Sequence, residues 1–275
     1  MNILEVTDLR VWQEGGRVIV PGSSFQVTKG SCLAVVGESG SGKSVSCRAV
    51  MRLNPPGIRQ SGSILFDGIN VTELSAKEMR KLRGKQMYMI LQHGMRAFDP
   101  SSVIGVHLQE TLARHQGWSR SESAAKIKQA MESVRLKDPS VLLNKYPHEL
   151  SGGMLQRVMI ALAIVLEPEL IIADEPTTAL DTISQYEVVE QLIQMRSRLG
   201  CSMIFVSHDL GIVRKISDEV LVMKDGEIIE RGMTEEVLAE ARHDYTRNMV
   251  QAKRKLERHF SAVMGGGGIA DRSGG

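Results

Sequence analysis

The run Gly37-Glu38-Ser39-Gly40-Ser41-Gly42-Lys43-Ser44 has the residue types and spacing needed to hold phosphate. Glycines let successive backbone N–H groups curl around anionic oxygens, and a helix starting at such a loop adds partial positive charge. At this spacing Lys43 can reach the β- and γ-phosphates of a nucleotide, and the Ser44 hydroxyl can ligate Mg²⁺. Further groups able to do chemistry are scattered along the chain. Asp174 and Glu175 close an apolar run, His208 closes another, and Gln92 follows a third. Leu150-Ser151-Gly152-Gly153 opens a long apolar-periodic stretch, with Ser151 as an N-cap and two glycines that leave helix N–H groups bare to an anion.

These groups need a scaffold that brings them to one edge. The apolar runs Cys32-Leu33-Ala34-Val35-Val36, Leu170-Ile171-Ile172-Ala173 and Ser202-Met203-Ile204-Phe205-Val206 read as buried parallel strands, and Gln86-Met87-Tyr88-Met89-Ile90-Leu91 as another strand. Ligands bind at the carboxyl ends of such strands. Helix-forming sequence follows the glycine loop until Asn54-Pro55-Pro56. Before the loop, residues 3–29 alternate apolar and polar positions, which predicts two or three antiparallel strands. Trp12 lies there, and its ring can serve either as a platform for an adenine or as a partly buried strand residue. Residues 62–68 predict a strand ended by an Asp-Gly turn, and residues 74–83 a polar helix. From 103 to 146 the sequence is helix-forming with no strong strand, as expected of a helical lobe inserted into an α/β core. Residues 182–199 predict a helix, 220–230 a hairpin about Asp225-Gly226, and 234–240 and 245–260 two more helices. The glycine-rich tail from Gly265 is of low complexity and is expected to be disordered.

The bulk properties are those of an ordinary globular protein: 275 residues, 42% hydrophobic and 24% charged, long enough for a substantial core. A net charge of +2, with acidic and basic residues nearly balanced, gives no case for nucleic acid as a partner. Cys32, Cys47 and Cys201 lack metal-ligand spacing and read as reduced thiols of a cytoplasmic protein. No signal peptide or membrane-spanning run is evident, so work at a membrane requires docking to other chains. The His residues, among them His93, His107, His115 and His148, fall on different elements, and most Met residues occupy apolar positions suited to core filling.

The glycine loop, Gln92, Leu150-Ser151-Gly152-Gly153, the strand ending at Glu175, Ala179-Leu180-Asp181 and His208 stand in an order similar to that of the ATP-binding-cassette (ABC) family of ATPases. The resemblance extends to about residue 260. It implies a P-loop NTPase of the α/β class: a RecA-like core with an antiparallel β subdomain and an inserted α-helical subdomain at about 93–165. The whole then forms one domain over 1–260, followed by a flexible tail at 261–275. It also implies ATP and Mg²⁺ as ligands, with Asp174 holding Mg²⁺ together with Ser44 and Gln92. Glu175 orients and partly deprotonates the attacking water, and His208 contacts the γ-phosphate. Ser151, Gly152 and Gly153 are implied to act on the γ-phosphate held by a second cassette in a head-to-tail dimer. Met154 departs from the family pattern, which commonly has glutamine there; the anion-binding geometry does not need that side chain.

Within the family, Arg96-Ala97-Phe98-Asp99-Pro100, Tyr146-Pro147, the run from Ser151 to Arg157, the run from Ile171 to Thr178, and Asp244-Tyr245-Thr246 look like the importer cassettes for peptides and nickel. The Met-Leu signature and Ala-Phe-Asp-Pro are nearest to cassettes serving nickel and metallophores. The implied role is ATP hydrolysis coupled to uptake of nickel or a metal–metallophore complex, with di- or oligopeptide import as the alternative. The implied partners are a second cassette, a different chain, two transmembrane permease subunits and an extracytoplasmic substrate-binding protein, the cassette lying at the cytoplasmic face of the membrane. Peptide-importer relatives often carry a C-terminal cysteine cluster; no cysteine follows Cys201, so no iron–sulfur centre is expected. A cassette ATPase of translation or DNA repair is disfavoured by the lack of a second cassette or a coiled-coil or zinc insertion. A module that binds without hydrolysing is disfavoured by Glu175 and His208.

Overall fold

A computed structural model describes residues 1–178 and 180–265; Ala179 and residues 266–275 of the glycine-rich tail lie outside the described residues. In chain order, β1 (Asn2–Gln13), β2 (Val18–Thr28) and β3 (Cys32–Val36) lead into helix α1 (Lys43–Val50). Strands β4 (Ile58–Phe66) and β5 (Ile69–Asn70), helix α2 (Ala76–Leu82) and strand β6 (Met87–Ile90) follow. The helical lobe contains α3 (Ile104–Gln116), α4 (Arg120–Ser133), α5 (Pro139–Leu142) and α6 (Gly152–Leu166). The core resumes with β7 (Leu170–Asp174), α7 (Thr182–Leu199), β8 (Ser202–Val206) and α8 (Leu210–Ile216). It closes with β9 (Glu219–Lys224), β10 (Glu227–Met233), α9 (Thr234–Ala239) and α10 (Asp244–Gly265).

The strands form two sheets: a four-stranded one ordered β2-β1-β4-β5 and a six-stranded one ordered β10-β9-β3-β8-β7-β6. The first is antiparallel, as the alternation in residues 3–29 predicts. In the second, β6, β7, β8, β3 and β9 run parallel, and only the β9–β10 hairpin is antiparallel. Parallel strands covered on both faces favour continuous apolar runs, and β7 has one in Leu170–Ala173 and β8 in Met203–Val206. Leu170 and Ile172 of β7 pack with Ile204 and Val206 of β8 on the side of β1, β2 and α1. Ile171, Ala173, Met203 and Phe205 pack on the other side with the lobe helices and α7.

Two expectations need adjusting. Helix α1 stops at Val50 rather than running to Asn54, because Arg52 takes a left-handed backbone conformation (φ 49°) and donates to the carbonyls of Val71 and Leu74. Helix α8 was not anticipated; Asp209 caps it by accepting from the N–H of Gly211 and Ile212, a cap hidden in sequence by the shortness of the helix.

Candidate active site

The carboxyl ends of β3, β8, β7 and β6 lie side by side in the sheet. This brings the glycine loop, His208, the Asp174-Glu175 pair and Gln92 to one edge, although more than a hundred residues separate the loop from His208. Ser44 Oγ donates to Asp174 Oδ1 at 2.6 Å. The other carboxylate oxygen, Oδ2, is buried without a hydrogen bond, with the Arg48 guanidinium 3.5 Å away. Burial raises the pKa of Asp174, and the Ser44 hydrogen bond and the Arg48 charge oppose that shift.

Glu175 leaves the strand in a left-handed conformation (φ 46°), with its N–H donating to the Val206 carbonyl at 3.1 Å. Such a conformation costs about 1–3 kcal/mol in a residue with a Cβ and needs support from its surroundings. Here the Glu175 carboxylate meets Gln92 and Thr178. Glu175 Oε2 accepts from Gln92 Nε2 at 3.0 Å and Thr178 Oγ1 at 2.9 Å. His208 Nδ1 stands 3.9 Å from the same oxygen, its ring mostly in solvent. One oxygen of the carboxylate is thus held by two donors.

Lys43 is buried and donates to the carbonyls of Gly37 at 2.9 Å and Glu38 at 2.7 Å. Burial lowers its pKa, and the charges of Glu175 and Asp174 pull it back up. Ser41 Oγ is buried with no partner, an orphaned hydroxyl inside the loop. A buried polar atom left unpaired is costly, and an anion seated in the loop gives it one. Asp174 and Ser44 offer hard oxygen donors beside an unsatisfied carboxylate oxygen, with Gln92 just beyond the adjoining strand β6, and that chemistry suits Mg²⁺.

Two contacts hold the loop from outside. The N–H of Gly226, in the β9–β10 turn, donates to Ser41 O at 3.1 Å, and its carbonyl accepts from Ser23 Oγ at 3.2 Å. The Glu38 N–H donates to the hydroxyl of Tyr245 on α10 at 3.0 Å. Trp12 is a half-buried residue of β1, opposite Val18 and Arg59.

Ser151 caps α6 by accepting from the Met154 N–H at 3.2 Å, so position 154 contributes its backbone whatever its side chain. A Cβ on Gly152 would lie 3.1 Å from Leu180, and one on Gly153 3.2 Å from Ser184, so the signature rests on the start of α7. Among the described residues no hydrogen bond or ion pair joins Ser151, Gly152 or Gly153 to residues 37–44. The structure therefore assembles the loop, Asp174, Glu175, Gln92 and His208, and leaves the signature apart.

Several contributors escaped the sequence reading. Arg48 lies one helical turn beyond Ser44, and Thr178 three residues beyond Glu175; both spacings were available as signals. Gln156, buried on α6, donates to the carbonyls of Leu91 at 2.9 Å and Gln92 at 3.2 Å and so ties the signature helix to the glutamine loop. No spacing reveals that contact.

A phosphate loop opening a helix after a parallel strand, with a serine–aspartate pair and a held glutamate at the same sheet edge, defines a P-loop nucleoside triphosphatase. The family described as ABC transporter matches residues 20–178. The chain belongs to that family: it is an ATP-binding, ATP-hydrolysing cassette of the importer type that works with membrane permease subunits. It is 46% identical over 269 residues to the metal-staphylopine import system ATP-binding protein CntD of Staphylococcus aureus, covering 97% of this chain and 98% of that protein. It is 41% identical over 261 residues to the oligopeptide transport ATP-binding protein OppD of Bacillus subtilis, covering 93% and 73%. Among solved structures, cbiO1 from Clostridium perfringens, part of the ABC transporter complex cbiONQ, is similar with a TM-score of 0.72 at 28% identity, covering 96% of this chain and 98% of that one. Among the described residues no helix is long and apolar enough to cross a membrane.

Proposed function

We propose that this cassette powers uptake of a metal ion, nickel or one similar, carried as a metallophore complex. The supporting observation is the 46% identity to CntD across nearly the full length of both chains. The 41% identity to OppD keeps di- or oligopeptide import as the second reading. The chain operates as one domain over residues 1–260, with the helical subdomain at about 93–165, and docks peripherally at the cytoplasmic face of the membrane. Its partners are a second cassette, a different chain, two permease subunits and an extracytoplasmic substrate-binding protein. Nucleic acid is not among them.

Residues 37–44 would cradle the phosphates of ATP, Lys43 turning from the loop carbonyls toward the β- and γ-phosphates. Trp12 would stack on the adenine. Ser44, Asp174 and Gln92 would hold Mg²⁺, which when bound supplies positive charge against the charge developing on the phosphates. Glu175, aimed by Gln92 and Thr178, would accept a proton from the attacking water. His208 would swing from its exposed position to the γ-phosphate. Ser151, Gly152 and Gly153 would complete the site of the partner cassette, and Gln156 would carry the closure of α6 to the Gln92 loop and so to the permease.

Accumulation of radioactive nickel, with and without a metallophore, in cells carrying wild-type protein or Glu175→Gln tests the cargo, with mixed peptides as competitor. Metallophore-dependent uptake that the variant loses and peptides leave untouched is the expected result. Equal nickel uptake in both strains, with peptide uptake lost in the variant, would overturn the metal reading in favour of peptides.

A further inference from the structure

Away from the ATP site, six basic side chains line one cavity of about 340 Å³: Lys77, Arg80 and Lys81 of α2, Lys85 just before β6, and Arg114 and His115 in the last turn of α3. Among the described residues none of the six makes an ion pair within 4.0 Å or a side-chain hydrogen bond. Among the described residues the nearby carboxylates form no ion pair with them, although Glu78 lies within electrostatic reach of Lys81. Glu78 is turned into the N-terminal cap of α2, accepting from the N–H and hydroxyl of Ser75 at 2.8 and 2.6 Å, and Glu110, one turn before Arg114, forms no ion pair.

The cations behind the cavity add to its field. Arg83 donates to the carbonyls of Met51 and Arg52, and Arg52 to those of Val71 and Leu74, so both are bonded only to neutral groups. Burial first, and then the charges of Arg52 and Arg80, lower the pKa of Arg83. The His115 ring is pressed onto the backbone of Gly84, where a Cβ would come within 2.5 Å of Nε2. Burial, followed by the charges of Arg114 and Lys85, lowers its pKa. A concave site lined by one sign of charge concentrates the opposite ion, and guanidinium and ammonium groups together suit phosphate oxygens.

We propose that this cavity is a second anion site, distinct from the P-loop, that takes a soluble polyphosphate and bridges the core, through α2 and Lys85, to the helical lobe, through α3. Its place in the fold favours a soluble ligand over a lipid headgroup. Lys85 precedes β6 while Gln92 follows it, so the cavity lies at the end of β6 opposite the glutamine loop, and on the proposed function, which places the permease at that loop, it faces away from the membrane.

The test is a titration of the full chain with inorganic tripolyphosphate, followed through the imidazole proton resonances and repeated with sodium chloride at matched ionic strength. The His115 signal is assigned by its loss in His115→Gln, and His208 reports the ATP site in the same spectra. The expected result is a saturable shift of His115 with a raised His115 pKa, and an affinity at least tenfold weaker in Lys81→Gln/Arg114→Gln, whose exposed side chains can be changed without disturbing the core. A shift that never saturates, or that sodium chloride reproduces, or that the double variant retains unchanged, would overturn the proposal. Sedimentation with phosphatidylglycerol vesicles, against phosphatidylcholine alone, addresses the source of the phosphate. Vesicle binding that the double variant loses, with no saturable tripolyphosphate response, assigns the cavity to lipid and refutes the soluble ligand.

Discussion

Asp174 carries a carboxylate into a buried place where the charged form is disfavoured, and that mismatch can be measured. Its raised pKa means that proton binding favours the folded, nucleotide-free state. This contribution is present below the ordinary aspartate value of 3.8 and is lost as pH rises through the raised value. At neutral pH the protein bears that cost, so Asp174→Asn, which mimics the protonated side chain, is expected to raise the melting temperature of the nucleotide-free protein. The same change is expected to abolish the thermal shift caused by MgATP; differential scanning calorimetry at pH 7 with and without MgATP reads both effects. Glu175 differs because its carboxylate is held by donors instead of being stranded. Glu175→Gln keeps the shape of the site and removes the base, so ATP binding should persist while turnover falls by roughly 10²–10⁴-fold, the range for loss of a general base. Equilibrium nucleotide binding and a phosphate-release assay separate the two quantities, and a variant that hydrolyses ATP at the wild-type rate would remove Glu175 from the mechanism.

The elements that carry these residues are fastened to one another at few points. The β9–β10 turn is one: Gly226 has φ 83°, and a Cβ there would sit 2.1 Å from the carbonyl oxygen of Ile19 and 2.9 Å from Pro21 Cδ. The turn must move to accept a side chain, and it would take with it the hydrogen bond to Ser41 O in the phosphate loop. Gly226→Ala is therefore expected to cost about 1–3 kcal/mol of stability, as overpacking does, and also to raise the KM for ATP. Urea unfolding alongside steady-state kinetics would show whether the two losses occur together. The start of α6 is another: loss of the Ser151 cap should cost about 1 kcal/mol in the isolated chain. If Ser151 serves only as a cap, ATPase activity of Ser151→Ala should recover under conditions that restore folding; the proposed role across the cassette interface requires the activity to stay low.

Viewed whole, the molecule completes its phosphate loop, Mg²⁺-suited pair and held glutamate on one sheet edge while its signature stays apart on the lobe. A chain built this way is expected to need a second cassette for turnover. Mixing Lys43→Ala protein, with an intact signature, and Ser151→Arg protein, with an intact phosphate loop, should restore activity that neither variant shows alone. This requires that copies of this chain can pair with each other. With a different cassette as the natural partner, the same complementation is expected between one variant of this chain and the complementary variant of that partner. An ATPase rate independent of protein concentration over the range of dimer dissociation would count against both.

Residue types and spacing alone single out the groups proposed to do chemistry and the strands that end in them. Glycine at the loop positions, a buried run before Asp174 and another before His208 follow from local spacing and hydrophobic pattern, and these are governed by near neighbours in the chain. The order in which the strands lie was beyond reach of local pattern. Packing of the whole chain sets β8 between β3 and β7 and brings Thr178 and Gln92 to one oxygen of Glu175. It alone decided that Gln156 binds the loop after β6, that Tyr245 takes the N–H of Glu38, and that α2 and α3 pool their cations in one cavity. Each of these contacts joins residues brought together by packing two faces of a sheet, and neither sequence spacing nor residue type encodes which distant partner that packing supplies.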